Sequence, residues 1–145
     1  MKRILKILGL AKTKVVLDTN VLVAAHFNPG SASNRILELC QKKKLVLVLT
    51  PHILKEFSLI MRNISARKGF RRRMEKIISQ AILVKKAPRI NIVVEDPEDN
   101  KFLSCALAGK ADYIITSDRH LLVLKKFRGI KIVKPVQFLS KSKIK

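Results

Sequence analysis

Acidic residues are scarce in this chain. Ten Asp+Glu stand against 31 Lys+Arg, a formal net charge of +21 over 145 residues. That balance draws in polyanions, with nucleic acid the first partner to consider and an anionic membrane surface the rival. Aromatic residues are few as well: they make up 5% of the chain, Trp is missing, and six of the seven are Phe. Little base-specific stacking is therefore expected, with nucleic acid held mainly through phosphate and shape. There are two cysteines, Cys40 and Cys105, each in an apolar helical context. They build no disulfide framework and no Cys/His zinc site, and read as small buried hydrophobes. No stretch approaches the ~18 apolar residues of a membrane span. Residues 1–10 resemble a signal peptide, but Lys6 interrupts the apolar run and Lys12 and Lys14 follow it. The expectation is a cytoplasmic protein with a basic leader over residues 1–13. There is no G-x-S-x-G elbow, and His26, His52 and His120 sit in no nucleophile–base pattern, so Ser or Cys hydrolysis is excluded and each His reads as a surface or packing residue.

What is present is a core and an alternation. Hydrophobic residues make up 48% of the chain, enough for one domain of this length. Continuous apolar runs at 14–18 (KVVLD), 45–49 (LVLVL), 90–94, 112–116 (DYIIT) and 130–133 predict five buried strands. Between them lie helical patterns. Residues 31–44 have Ser31 or Ser33 as cap, and residues 50–62 have Thr50 as N-cap and Pro51 at the first helical position. Residues 66–85 carry apolar side chains at Phe70, Met74, Ile77, Ile78, Ala81 and Ile82, and residues 96–108 are followed by Gly109 as the stop. A short helix at 119–126 and a last helical turn from Pro135 complete the series, with a frayed lysine tail at 140–145. Strands alternating with helices predict a three-layer α/β/α domain with a five-stranded parallel sheet over residues 14–139.

Because acids are rare, their positions carry information. Six of the ten fall between residues 95 and 118, more than an even spread would place there. Asp18 and Asp118 each follow a buried strand, and open parallel sheets bind ligands beyond the carboxyl ends of their strands. Glu56 lies on the helix leaving the second strand, and Asp99 on the first turn of the helix after the third. All four can therefore meet at one edge. Converging carboxylates repel unless a cation separates them, and hard oxygen donors suit Mg²⁺ or Mn²⁺. Such a site hydrolyses phosphodiesters. Each acid also has a plain structural role open to it. Asp18 and Asp118 can cap the segments that follow them. Asp99 can close a capping box begun by Asp96, and Glu56 can be a solvated helix residue. Spacing alone does not choose between Asp96 and Asp99 as the inward acid. Glu95, Asp96, Glu98 and Asp112 read as capping or surface residues. The cluster Arg67, Lys68, Arg71, Arg72 reads as a nucleic-acid or acidic-partner contact, or as a solvated helix face.

The segments VVLDTNVLVAA (15–25), LTPHILKEF (49–57), EDPEDNKFLSCALAGKADYIITSDRHLL (95–122) and IKIVKPVQFL (130–139) together resemble the PIN-domain nucleases, especially the toxin-like branch of prokaryotic toxin–antitoxin pairs. The order D-T-N, helix Glu, D-x-x-D-N-K-F, T-x-D carries the resemblance. It implies a Mg²⁺- or Mn²⁺-dependent ribonuclease with metal-site roles for Asp18, Glu56, Asp99 and Asp118. It favours Asp99 over Asp96, and gives Asn20 and Thr116 supporting roles in orienting acids or bound water. It also implies RNA as substrate, a homodimer and a co-expressed antitoxin. The leader and the unusually basic charge depart from the family pattern, which leaves structured RNA, single strands and DNA flaps open as targets. Two other functions fit parts of the pattern: a non-catalytic nucleic-acid-binding domain, and an aspartyl phosphotransferase with Asp18 as nucleophile. The latter commonly needs an acid where this chain has Asn20.

Overall fold

In the computed structural model the described residues are 4, 12–93, 97–142 and 144. The first strand, β1 (Thr13–Leu17), ends in the fully buried run Val15, Val16, Leu17. Helices α1 (Thr19–Phe27) and α2 (Ala32–Gln41) lead to β2 (Leu45–Leu49). Helices α3 (Pro51–Asn63) and α4 (Lys68–Ser79) then lead to the short β3 (Ile82–Leu83). A 3₁₀ turn (Pro97–Asp99) runs into α5 (Asn100–Ala108), followed by β4 (Tyr113–Ile115) and α6 (Arg119–Leu122). The chain finishes with β5 (Lys126–Phe127), β6 (Ile130–Val133) and α7 (Pro135–Ser142).

The sheet order is β3-β2-β1-β4-β6-β5. Five strands are parallel, and β5 folds back antiparallel on β6. Right-handed crossovers put the helices between β1 and β3 on one face and α5 on the other. Helix α5 packs against β1, β2 and β4, and α7 packs against α2. The helices cover both faces, which is why the strands are apolar on both sides rather than alternating. The chain order reverses between β1 and β4, the switch point at which a ligand crevice opens. Among the described residues no helix is long and apolar enough to cross a membrane.

Three expected elements move. The third parallel strand is Ile82–Leu83, not residues 90–94. Residues 90–93 form no strand, because the Asn100 side chain takes their hydrogen bonds: its Oδ1 accepts from the Ile92 and Val93 amides, and its Nδ2 donates to the carbonyls of Val93 and Pro97. Residue 94 lies outside the described residues. The helix expected over 66–85 consequently stops at Ser79; Ala81 and Ile82 leave its apolar stripe, and Ile82 joins the sheet edge. The helix expected over 119–126 stops at Leu122, since Lys126 and Phe127 pair with β6. The segment after Asp18, given no helix from the sequence, is α1.

Gly109 does end α5, for a different reason than expected. Its φ is −88°, and the left-handed residue is Lys110 (φ 53°). A Cβ at Gly109 would collide with the Val48 side chain, so glycine is needed for close approach of helix to sheet. The tail is helical through Ser142 rather than frayed from residue 140. Residues 1–3 and 5–11 of the leader, and residues 143 and 145, lie outside the described residues. Thr13, counted with the leader, already belongs to β1.

Candidate metal centre at the sheet switch point

Asp18 leaves β1 at the carboxyl edge of the sheet and caps α1. Its amide donates to the Ile115 carbonyl of β4 at 3.0 Å, and its Oδ1 accepts from the Asn20 amide at 3.3 Å. Its Oδ2 accepts from the Thr116 hydroxyl at 2.6 Å. Thr116, fully buried one residue past β4, also accepts from the Asp118 amide at 2.9 Å. One hydroxyl thus fixes Asp18 directly and Asp118 through its backbone. Asp18 is only 5% exposed. Burial is the main force raising its carboxyl above the usual range; the bonds from Thr116 and Asn20 oppose the rise, and the charges of Asp118 and Glu56 add to it.

Asp118 caps α6, and its Oδ1 accepts from the His120 amide at 2.8 Å. The His120 ring Nδ1 lies 3.5 Å from the same oxygen. Asp99, 6% exposed, ends the 3₁₀ turn that Asn100 holds in place. Asp99, Asp118 and His120 can each offer a ligand atom within 4.8 Å of the others. From sequence His120 reads as a surface or packing residue; its place two residues after Asp118, on the helix Asp118 caps, is the signal for its position here.

Glu56 approaches from α3, which is anchored by the buried Ile53 and Phe57. Burial of one such side chain is worth about 1.5–3 kcal/mol and fixes the face that Glu56 presents. Glu56 Oε1 accepts from the Thr19 hydroxyl at 2.5 Å, and Oε2 meets Lys101 Nζ at 2.5 Å. Desolvation is the largest single influence on this carboxyl and would raise it. The bonds from Lys101 and Thr19 and the Lys101 charge outweigh it and hold Glu56 below its ordinary value. Lys101 is likewise held above its ordinary value: desolvation pulls it down, but Glu56 and the exposed Glu98 more than compensate. Thr19 and Lys101 stand inside the D-T-N and D-N-K-F segments, yet nothing in their spacing pointed to Glu56.

The four expected acids therefore gather at one edge. Asp18 senses Asp118 and Glu56, and Asp118 approaches Asp99. Asn20 contributes its backbone amide, and its side chain is exposed. Thr116 bonds both to the Asp18 carboxylate and to the Asp118 amide. Asp112 sits at the other end of β4, where it accepts from the Lys14 amide at 2.8 Å. Glu95 and Asp96 lie outside the described residues. The donor set of hard carboxylate oxygens plus one imidazole fits a divalent cation such as Mg²⁺ or Mn²⁺.

The basic cluster on α4 is placed elsewhere. The Arg67 amide donates to His26 Nε2 at 3.0 Å, and its guanidinium donates to the His26 carbonyl at 2.8 Å. His26 lies near the far end of α1, about 11 Å along the helix from Asp18. Lys68, Arg71 and Arg72 are exposed on the helix that starts there. His26 is a packing residue, edge-on to Phe27 and Phe70. Both cysteines are buried and free, and burial pushes each thiol up to about 12.

The profile of the PIN domain family matches residues 14–120. The chain belongs to the PIN-domain family. It is accordingly a nuclease-family domain, and the match spans all four acids. A relative, the uncharacterized protein MJ1680 of Methanocaldococcus jannaschii, is 37% identical over 120 residues, covering 79% of this PIN domain protein and 76% of that one. Among solved structures, PAE2754 from Pyrobaculum aerophilum superposes with a TM-score of 0.53 at 16% identity, covering 88% of each chain, and shares the fold. VapBC2 from Rickettsia felis, bound to a DNA fragment from its promoter, gives a TM-score of 0.47 at 18% identity over 83% of this PIN domain protein and 97% of that chain.

Proposed function

We propose that this PIN domain is a Mg²⁺- or Mn²⁺-dependent endoribonuclease. The observation that carries the reading is the gathering of Asp18, Glu56, Asp99 and Asp118 at the switch point of a chain otherwise so basic. Asp99 and Asp118, joined by His120, would hold the ion, with Asp18 and Glu56 completing the acidic wall. When bound, the ion supplies Lewis acidity and lowers the pKa of its water. The chain's own residues do the positioning. Thr116 locks Asp18 and Asp118 in one orientation, and Thr19 and Lys101 do the same for Glu56. Burial raises the proton affinity of Asp18, so its ionised carboxylate is suited to take a proton from an attacking water. The positive charge holds the substrate backbone.

RNA as substrate, an antitoxin as partner, a homodimeric state and a cytoplasmic location follow from the resemblance to the toxin-like branch. The test is direct. Purified protein is incubated with a mixed RNA pool in Mg²⁺, in Mn²⁺ and in chelator, beside Asp118→Asn. Metal-dependent cutting that falls at least ~10²-fold in the variant is expected, the scale of losing a group that acts at the reacting centre. Cutting that survives both chelator and substitution would reject the reading. Binding without cutting by either protein would favour a non-catalytic domain.

A further inference from the structure

After Asp118 the chain carries no acid. Residues 119–145 contain nine Lys/Arg and no Asp or Glu. The fold gathers five of these cations on one concave surface. Lys125, Lys126, Lys131, Lys134 and Lys141 line a groove of about 540 Å³ between the β5–β6 hairpin and α7, and no acidic side chain lines it. Each strand and helix contributes for a local reason. Lys126 pairs directly across from Lys131 in the antiparallel hairpin. Lys134 leads into α7, where the Gln137 side chain accepts its amide at 3.0 Å, and Lys141 lies one turn beyond Gln137 on the same helix face.

Like charges held this close repel, and a polyanion is the ligand that turns the repulsion into attraction. Ile132 and Val133 are buried beneath it and Leu122 is a partly exposed apolar wall, so among the described lining residues the five ammonium groups are the only charges. Lysine ammonium groups are point charges, suited to backbone phosphates rather than to base edges.

The groove also borders the helix next to the candidate metal centre. Leu122 lines it, and Leu122 ends the helix that Asp118 caps, about 6 Å along the axis. From the other side, the Thr116 amide donates to the Val133 carbonyl at 3.0 Å. Lys134 therefore leaves the sheet one strand away, about 4.8 Å, from the threonine that orients Asp18. Two separate elements tie the lysines to the same edge as the acids.

We infer that the β5–β6–α7 groove carries the phosphate backbone of single-stranded RNA leading away from the carboxylate cluster. The inference deepens the nuclease reading and rests on it for the event at the cluster, though binding itself does not require cutting.

The test uses the full chain and a labelled 20-nucleotide oligouridine, in chelator, with anisotropy followed from 50 to 300 mM salt. Lys126→Glu/Lys134→Glu/Lys141→Glu is compared with the charge-matched Lys68→Glu/Arg71→Glu/Arg72→Glu on α4. Losing three phosphate contacts should flatten the slope of log affinity against log salt by about 2. The groove variant should bind at least ~30-fold more weakly at 100 mM salt, and the α4 variant within about threefold of the unaltered chain. A Lys→Gln version of the groove triple, milder toward folding and checked by circular dichroism, should weaken binding about tenfold. Unchanged affinity in both groove variants, or an equal loss from α4, overturns the inference. So does a 20-residue polyglutamate that binds tighter than RNA and depends on the same lysines, because the groove would then belong to an acidic protein partner. Lysine-dependent RNA binding by a chain that cuts nothing in Mg²⁺ or Mn²⁺ supports the groove and removes the nuclease reading. Cutting by a chain whose RNA affinity ignores these lysines does the reverse.

Discussion

The two sides of the carboxylate crevice solve the same electrostatic problem differently. On the α3 side, Glu56 has its own cation: Lys101 sits 2.5 Å away with its side chain only 13% exposed, and Thr19 fills the other oxygen. On the β1–β4 side, Asp18 accepts from the Thr116 hydroxyl and the Asn20 amide, Asp118 accepts from the His120 amide, and Asp99 and the His120 ring come close to Asp118. The carboxyl of Glu56 is accordingly held low and that of Asp18 high. Glu56 is already compensated by Lys101, whereas burial and the neighbouring carboxylates raise Asp18. In the metal-dependent reading proposed above, Asp99, Asp118 and His120 would hold the ion, with Glu56 as a flanking acid.

That assignment is broken or sharpened most strongly by metal titration. Asp99→Asn should weaken Mn²⁺ binding, measured by calorimetry, at least ~100-fold. Glu56→Gln should weaken it about tenfold or less, the lower end of what outer groups contribute around a metal. Equal losses in the two variants would erase the distinction between the sides. A smaller effect is expected one shell out. Thr116→Val keeps the shape of the side chain but removes the hydroxyl shared by Asp18 Oδ2 and the Asp118 amide. Metal affinity should fall by roughly 10- to 100-fold. Stability of the metal-free protein should fall by about 1–3 kcal/mol, because buried polar groups lose their partner. Denaturant unfolding and calorimetry on one preparation read both.

Much of this architecture was legible from the residues. Apolar runs located β1, β2, β4 and β6, because strands covered on both faces need continuous rather than alternating apolarity. Thr50–Pro51 and Ser31 signalled helix starts that the structure bears out. The third strand was misplaced because residues 90–94 have the β-branched character of a strand. No local pattern reveals that the Asn100 amide claims the backbone there, or that the two residues Ile82 and Leu83 suffice at an edge. The acids were findable because they follow strands in a chain with few others. Lys101 and Thr19 were not, since each acts on Glu56 from a different element. Contacts between residues 37 or 45 positions apart in the chain leave no periodic trace.

The smallest predicted effect concerns Asp18 itself, and its sign separates it from Glu56. A carboxyl whose folded-state pKa lies above its unfolded value binds protons more tightly in the fold. Its ionised form therefore costs stability, and the cost grows as pH rises from the ordinary carboxylate value of 3.8 toward the raised one, then stays constant. In metal-free protein Asp18→Asn should raise the melting temperature modestly at pH 7: the amide carries no charge to desolvate and its oxygen can still accept from Thr116, while losing the long 3.3 Å bond from the Asn20 amide offsets part of the gain. Below the ordinary carboxylate value both side chains are neutral, and the gain should vanish. Glu56→Gln should show the opposite sign. The lowered carboxyl of Glu56 contributes stability above its unfolded value and loses it as pH falls through the folded one, so the substitution destabilises at pH 7 and becomes harmless in acid. Thermal melts of the two variants across pH 3–7 in chelator check this, and a shared sign at pH 7 would show that the two sides of the crevice are not electrostatically distinct. Adding Mn²⁺ should then reverse the sign for Asp18, because a nearby cation favours its ionised carboxylate, and leave the sign for Glu56 unchanged.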